Sequence, residues 1–294
     1  MSADFYGLPT RSIGNRYLRL DVLAQVGPRI VRLLLADSDE NLLAELPDIH
    51  WPTPYGEYSL HGGHRLTIAP EAAGRSYLPD DYGLIVEDVP GGVRIIRWPE
   101  NRLPIGKSIT IVLHAERPAV TLQHCLQNDD AEPIEIAPWA VTQLPLGGVA
   151  VTSLRSFKGT DRRAPDRHVV LWPYTAQHDQ RLFVDDDFVW IDAQPMAVEC
   201  KVGVLARGWL GYLRSGVFFL KRFDPQLEQL HPDRNCNVEV YCNDRFVELE
   251  TLGPLCRLEP GQAVTHVETW EIHRFEGVKP TPDGLRDVLQ SIAG

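Results

Sequence analysis

The sequence has no apolar run approaching the roughly 20 residues that carry a helix across a bilayer, so no membrane-spanning helix is expected. It is also poor in cysteine. The five, at positions 125, 200, 236, 242 and 256, are odd in number and form no C-x-x-C pair, which leaves zinc-knuckle and thiol-redox readings without support. Free thiols in a reducing compartment are the simplest account. Positive charge is scarce: 29 Lys and Arg stand against 40 Asp and Glu, for a net charge of −11. Nucleic acid is therefore not an expected partner, because binding to phosphates requires a basic surface. Phosphate-binding loops, dinucleotide-binding glycine motifs and G-x-S-x-G elbows are lacking, and no cofactor is expected. No spacing suggests metal ligation. His61-Gly62-Gly63-His64 is too compact, and Asp185–Asp187 reads as a solvated loop. The opening Met-Ser-Ala-Asp-Phe-Tyr-Gly has neither a basic region nor an apolar core, so no signal peptide and a cytoplasmic location are expected.

What the sequence does contain is a long series of short alternating or apolar segments separated by turn residues. Strands are expected near 17–23, 28–35, 57–60, 65–69, 82–88, 92–98, 107–114, 118–127, 133–144 and 149–155. Others fall near 180–184, 188–192, 197–203, 209–214, 217–223, 236–242, 245–251 and 264–275. Turn clusters such as Pro90-Gly91-Gly92 and Cys242-Asn243-Asp244 bridge several of them closely enough for hairpins. Helix is scarce, and 281–293 is the best candidate. Thr281 can cap it, Pro282 takes the first position, and Leu285, Val288, Leu289 and Ile292 make one stripe. The stretch 156–187 is irregular and polar and reads as a rim or lid. With no linker or repeat, one all-β domain of two large antiparallel sheets over residues 1–294 is expected. The oligomeric state is left open, a homo-oligomer included.

The most informative segment is Phe246-Val247-Glu248-Leu249-Glu250-Thr251-Leu252. As a strand it places Phe246, Glu248, Glu250 and Leu252 on one face and Val247, Leu249 and Thr251 on the other. Unpaired buried charge is expensive, so two carboxylates on one face imply water, a cation or a polar cleft. Lys201, on an apolar strand, either snorkels outward or faces such a cleft. Gln143 shares a face with Trp139 and can hydrogen-bond a hydroxyl. Glu71 follows the Arg65 strand and either pairs with Arg65 or meets a ligand. Trp51, Tyr55, Trp98 and Trp139 are candidate stacking platforms or core. His124 and His266 read as strand histidines with structural partners.

Several motifs, in order along the chain, resemble the galactose mutarotase-like (aldose 1-epimerase) superfamily. Tyr17–Asp21 leading to Gly27-Pro28-Arg29-Ile30 resembles its opening strands. Leu249-Glu250-Thr251 resembles its Leu-Glu-Thr strand. Leu258-Glu259-Pro260-Gly261-Gln262, followed by His266 and Trp270, resembles its closing hairpin. Gly62-Gly63-His64-Arg65, taken with Asn237–Tyr241, looks nearer to an uncharacterised branch than to the mutarotases proper. The resemblance implies a β-supersandwich that binds a small-molecule carbohydrate on a concave sheet face and exchanges its anomers, with Glu250 as general base. It also implies that Pro138-Trp139 stands where the family's acid His is found, so that the usual acid is missing. Leu60-His61-Gly62-Gly63 matches a family His motif, whereas a competing alignment sets His64-Arg65-Leu66 on a sugar-binding Arg motif. His61 and His64 are thus expected beside Glu250 as catalytic candidates. Arg65, Glu248, Lys201, Trp139, Glu71 and Gln143 are expected around a sugar, and Arg65 with Lys201 points toward an anionic one. A non-catalytic sugar-binding module, or a lyase or hydrolase acting on a modified sugar, stays open beside the epimerase.

Overall fold

The computed structural model describes residues 4–98, 104–154, 166–275 and 277–292. Among these the strands form an eleven-stranded sheet, a ten-stranded sheet and a separate hairpin of Glu45–Thr53 with Gly56–Gly62. The all-β expectation is met. The first sheet runs Asp4–Phe5, Leu8–Gly14, Leu18–Leu23, Arg29–Leu35, His64–Ala69, Ile134–Leu144, Val247–Leu252, Val238–Cys242, Cys200–Val204 and Val169–Leu171, with Cys256–Leu258 pairing Ile134–Leu144 off this path. The second runs Leu182–Val184, Phe188–Asp192, Val149–Ser153, Trp209–Arg214, Val217–Phe223, Ala263–Arg274, Ala119–Asn128, Ile105–Leu113, Gly92–Arg97 and Leu84–Val89. Every pairing is antiparallel, from Asp4↔Pro9 at one edge to Leu84↔Arg97 at the other.

The two sheets share one apolar core. Leu18, Leu20, Ile30, Leu66, Val202, Val247 and Leu249 from the first meet Val93, Ile109, Val120, Leu210, Phe219 and Trp270 from the second. Strand alternation does this: Val247 and Leu249 point into the core, so Glu248 and Glu250 point out of it. The outer face of the second sheet is covered by the helix Pro282–Ile292, whose Leu285 and Val288 pack on Val149, Trp190, Leu213 and Phe218. Thr281 Oγ1 accepts the Gly284 N–H at 3.2 Å, as a cap should, while position 293 lies outside the described residues.

The strands absent from the sequence reading lie mostly at edges. Leu8–Gly14 contains Pro9, and Glu45–Thr53 contains Pro47 and Pro52 with a register shift between Leu46 and His50. Proline is tolerated there because it lacks an N–H for a central ladder. The excursion 156–187 is less irregular than expected. Residues 156–165, including Lys158, Asp161, Arg162 and Arg163, lie outside the described residues. The remainder adds an edge strand to each sheet and holds a buried Arg181–Asp179 ion pair at 2.8 Å.

A polar cluster is sealed between the sheets. His64 and Thr142 of the first sheet meet His124 of the second, with His64 Nδ1 to Thr142 Oγ1 at 2.9 Å and His64 Nε2 to His124 Nε2 at 2.7 Å. His124 Nδ1 lies 3.0 Å from the His266 carbonyl, which can only accept, so that nitrogen carries the proton. In neutral rings His64 Nε2–H then donates to His124, and Thr142 donates to His64 Nδ1. Glu268 binds Lys221 Nζ at 2.8 Å and accepts from Trp270 Nε1 at 2.8 Å and from Thr251. Burial alone would raise the Glu268 carboxyl, but Lys221 and the surrounding histidines outweigh it and hold it well below the usual range.

Burial pulls all three imidazoles down, His266 to about 3. A histidine lowered on folding contributes stability that is complete above its unfolded value near 6.5 and drains away as pH falls toward the folded value. His266 alone should cost about 2 kcal/mol between pH 7 and pH 5. Calorimetric melts should therefore show the wild type losing about 2 kcal/mol more between pH 7 and pH 5 than a folded His266→Gln protein. Equal losses would contradict neutral burial of His266.

Candidate active site

Five neighbouring strands of the first sheet build a floor on its outer face. Their register sets two adjacent rows. Arg65, Val141, Glu250, Glu239 and Gly203 lie in one row, and Gln143, Glu248, Tyr241 and Lys201 in the next. Glu250 and Glu239 thus face each other across a strand pair, an arrangement that like charges disfavour. Lys201 resolves it: its Nζ lies 2.7 Å from Glu239 Oε2 and 2.9 Å from Glu250 Oε2. Glu250 Oε2 also accepts from Trp139 Nε1 at 2.7 Å. The ammonium sits between two indoles, 4.9 Å from the Trp139 ring and 4.8 Å from that of Trp172. Gly203 makes room for the second indole, since a Cβ there would come within 3.1 Å of Trp172 Cζ3.

Charge state follows from burial. Desolvation pulls the Lys201 ammonium down, but its two carboxylates outweigh this and hold its pKa well above the usual lysine range. Glu239 moves the other way: burial, then the neighbouring charges of Glu250 and Asp233, push its carboxyl well up against the pull of Lys201. Glu239 is thus the carboxyl group of the cluster that burial and its acidic neighbours dispose to hold a proton.

Above this floor lies a cleft of about 430 Å³. Trp51, Leu60, Tyr77 and Phe246 form one wall, Trp172, Tyr174 and Tyr241 the other, and Arg65, Trp139, Lys201 and Glu248 form the base. Glu248 Oε1 accepts from Gln143 Nε2 at 2.8 Å and lies 4.0 Å from Arg65 Nη1. Its side chain keeps 12% exposure, whereas Glu250 has none. Burial and the charge of Glu250 push the Glu248 carboxyl up to about 7, against Arg65 and Lys201. At the rim, Glu71 accepts from Tyr77 Oη at 2.5 Å and Glu199 from Tyr241 Oη at 2.6 Å.

Of the residues expected from sequence, Glu250, Glu248, Lys201, Arg65, Trp139, Glu71 and Gln143 come together at the cleft, Glu250 and Gln143 beneath its surface. Glu71 is held by Tyr77, while the partner of Arg65 is Glu248. The two histidines are elsewhere, which corrects the expectation that both line the cleft. His64 precedes Arg65 on the same strand, and the pleat turns it into the inter-sheet cluster. His61 lies beside Arg29 and Asp80, and burial followed by the Arg29 charge lowers it to about 4. The Leu-His-Gly-Gly match serves the chain path. His61, Gly62 and Gly63 all have positive φ, and Cβ atoms at the two glycines would fall 2.1 Å from the Ala44 oxygen and 2.0 Å from the Ile30 oxygen.

Sequence reading missed Glu239, Tyr77, Trp172, Tyr174, Glu199 and Tyr241. One of them had a signal. Pairing Val238–Cys242 with Val247–Leu252 across the Asn243-Asp244-Arg245 turn sets Glu239 opposite Glu250, and two facing glutamates call for a cation. The aromatic wall at 172–174 had none, because an edge segment carries no period of its own.

His64, His124 and Glu268 do offer three ligand atoms within 4.8 Å of one another. Two nitrogens on one tetrahedral zinc sit about 3.4 Å apart, whereas His64 and His124 are at 2.7 Å, and the Lys221 ammonium already binds the carboxylate. These residues fit a proton-ordered network better than a metal.

No protein-family model matches the sequence, and no curated protein resembles it in sequence. Solved structures do match in shape. A candidate aldose 1-epimerase from Escherichia coli K12 superposes with a TM-score of 0.57 at 13% identity, covering 92% of this chain and 100% of that one. Another from Klebsiella pneumoniae gives 0.59 at 11% identity, covering 100% and 85%. A galactose mutarotase-like protein from Lactobacillus casei gives 0.55 at 10% identity, covering 90% and 100%. The chain therefore has the galactose mutarotase-like fold.

Removing the ammonium tests the floor. Lys201→Met leaves the buried carboxyl groups of Glu239 and Glu250 facing each other with no cation between them and should cost about 3–5 kcal/mol in urea unfolding. Adding Glu250→Gln should recover part of that loss. A Lys201→Met protein as stable as the wild type would show that the ion cluster carries no such load.

Proposed function

We propose that the cleft binds a carbohydrate and that the protein is an aldose 1-epimerase-like isomerase, interconverting the anomers of that sugar. The observation that carries this reading is an aromatic-walled cleft of about 430 Å³ set directly over the two same-face carboxylates of Val247–Leu252. Aromatic rings take the C–H faces of a sugar, and a few fixed polar groups orient its hydroxyls. The shared fold supports the reading at the level of carbohydrate-related chemistry. Ring opening requires a proton to leave the anomeric hydroxyl and one to reach the ring oxygen. A carboxyl group of this strand supplies the base, either Glu250, to which the Leu-Glu-Thr resemblance points, or Glu248, which lines the cleft.

Charge favours a neutral sugar over the anionic one suggested by Arg65 and Lys201. Lys201 is already engaged by Glu239 and Glu250, and Arg65 stands 4.0 Å from Glu248. Glu71 and Glu199 add negative charge at the rim. A phosphate or carboxylate group would meet more repulsion than attraction.

One observation favours a second reading, a non-catalytic sugar-binding module. Glu250 has no exposed surface, and its Oε2 is taken by both Trp139 and Lys201. Saturation-transfer NMR across neutral, acidic and phosphorylated sugars separates the two, with tryptophan fluorescence as the binding readout. Anomer exchange above the buffer rate on a neutral sugar is expected. Fluorescence quenching without exchange would move the assignment to the binding module, and neither signal on any sugar would overturn the carbohydrate reading.

A further inference from the structure

The strand Val247–Leu252 offers two carboxyl groups to its outer face, and only one of them opens onto the cleft. Glu250 lies beneath the surface with no side-chain exposure, its Oε2 held by the Trp139 indole and the Lys201 ammonium and its Oε1 buried. Glu248 lines the cleft itself. Gln143 holds its Oε1 at 2.8 Å, the Arg65 guanidinium stands 4.0 Å away, and among the described residues nothing hydrogen-bonds its Oε2. The position that the family resemblance assigns to a separate acid is filled by Trp139, whose Nε1–H is spent on Glu250.

We propose that Glu248, through its protonated carboxyl group, serves as both acid and base for anomer exchange, with Glu250 a positioning residue that anchors Trp139 and Lys201. This rests on the isomerase reading above. One oxygen of the Glu248 carboxylic acid gives its proton to the ring oxygen O5 while the other takes the proton of the anomeric hydroxyl O1. The C1–O5 bond breaks with its electron pair going to O5, and C1=O1 forms. The acid is regenerated with its proton on the opposite oxygen, so the step changes neither charge nor proton count. Rotation about C1–C2 and the reverse of the same exchange close the ring on the other face. Arg65 is placed to hydrogen-bond an oxygen of the reacting centre without losing its own proton. No second acid is needed.

The environment of Glu248 suits this use. Burial comes first and the Glu250 charge second in raising it to about 7, while Arg65 and Lys201 oppose them. Tyr241 faces it from the neighbouring strand and Tyr77 from the wall, and the hydroxyls of both are pushed further up by burial. Both protonation states of Glu248 are then populated near neutrality, with the acid form dominant below pH 7 and lost above it.

The test is saturation-transfer NMR with the neutral sugar that gives the highest wild-type exchange, corrected for buffer catalysis. Exchange should plateau at acidic pH and fall about tenfold per pH unit above 7. Glu248→Gln should lower it by about 100-fold or more while the sugar still quenches tryptophan fluorescence. Wild-type exchange in a folded Glu248→Gln protein would overturn the assignment to Glu248 and leave the isomerase reading standing. If Glu248→Gln fails to fold, the wild-type profile decides, since a rate that rises with pH through 7 contradicts catalysis by the acid form. A wild type that binds sugars but exchanges none removes the isomerase reading and this assignment together.

Discussion

The site depends on a single ammonium group. Strand pairing sets Glu239 directly opposite Glu250, both buried, and two carboxyl groups buried face to face call for a counter-charge. Lys201 enters from the far side of Glu239 and reaches both. The cluster therefore links three consecutive strands, Cys200–Val204, Val238–Cys242 and Val247–Leu252, through side chains as well as ladders. The two indoles that sandwich the ammonium come from elsewhere, Trp139 from the central strand Ile134–Leu144 and Trp172 from just beyond the edge strand Val169–Leu171. The floor and one wall of the cleft are thus positioned relative to one charge.

The same strand is fixed from its other face. Thr251, next to Glu250, donates to Glu268 in the inter-sheet cluster, and the neighbouring Leu249 carbonyl accepts from Lys221 Nζ at 3.1 Å. Val247–Leu252 therefore runs between two buried ionic clusters, Lys201 with Glu239 and Glu250 outside, Lys221 with Glu268 inside. Buried ion pairs add little net stability over apolar packing, but losing one partner is costly. A one-residue slip would carry Glu250 into the apolar core and Leu249 onto the ionic floor. The two clusters together make the register of this strand, and so the placement of Glu248, sharply defined.

Much of this was legible in the sequence. Alternation in Phe246–Leu252 gave the correct faces, and the helix at 281–293 appears as Pro282–Ile292 with Leu285, Val288 and Leu289 packed inward. Of the motif residues, those whose role follows from strand parity were placed well: Glu248, Glu250, Arg65, Lys201 and Trp139 reach one face because each lies an even number of steps from a cleft position on its own strand. His61 and His64 were misplaced for a physical reason. Letter matches ignore backbone conformation, and three consecutive residues of positive φ at 61–63 send the chain through a turn that resets parity before Arg65. Trp172, Tyr174 and Tyr77 lie on short or irregular segments, where neither period 2 nor period 3.6 exists to be read.

Trp139 connects the fold to the chemistry. Its Nε1–H satisfies Glu250, and its ring faces the ammonium that Glu250 also binds, so one residue turns that glutamate into part of the floor. Under the proposed function, proton transfer to a ligand then falls to a group that reaches the cleft surface. The next outward-facing residue on the strand is Glu248, two positions back and about 7 Å away. It is oriented by a neutral amide from Gln143 rather than by an ammonium, which leaves its carboxyl free to carry a proton near neutrality. Under the proposed function, that displacement would set the reacting centre of a sugar near Leu60 and Trp51 of the hairpin Glu45–Thr53 with Gly56–Gly62, and near Phe246 beside them. The register-shifted, proline-bearing hairpin would then be the surface that holds the sugar ring, while Trp139 fixes the carboxyl group of Glu250 beneath it.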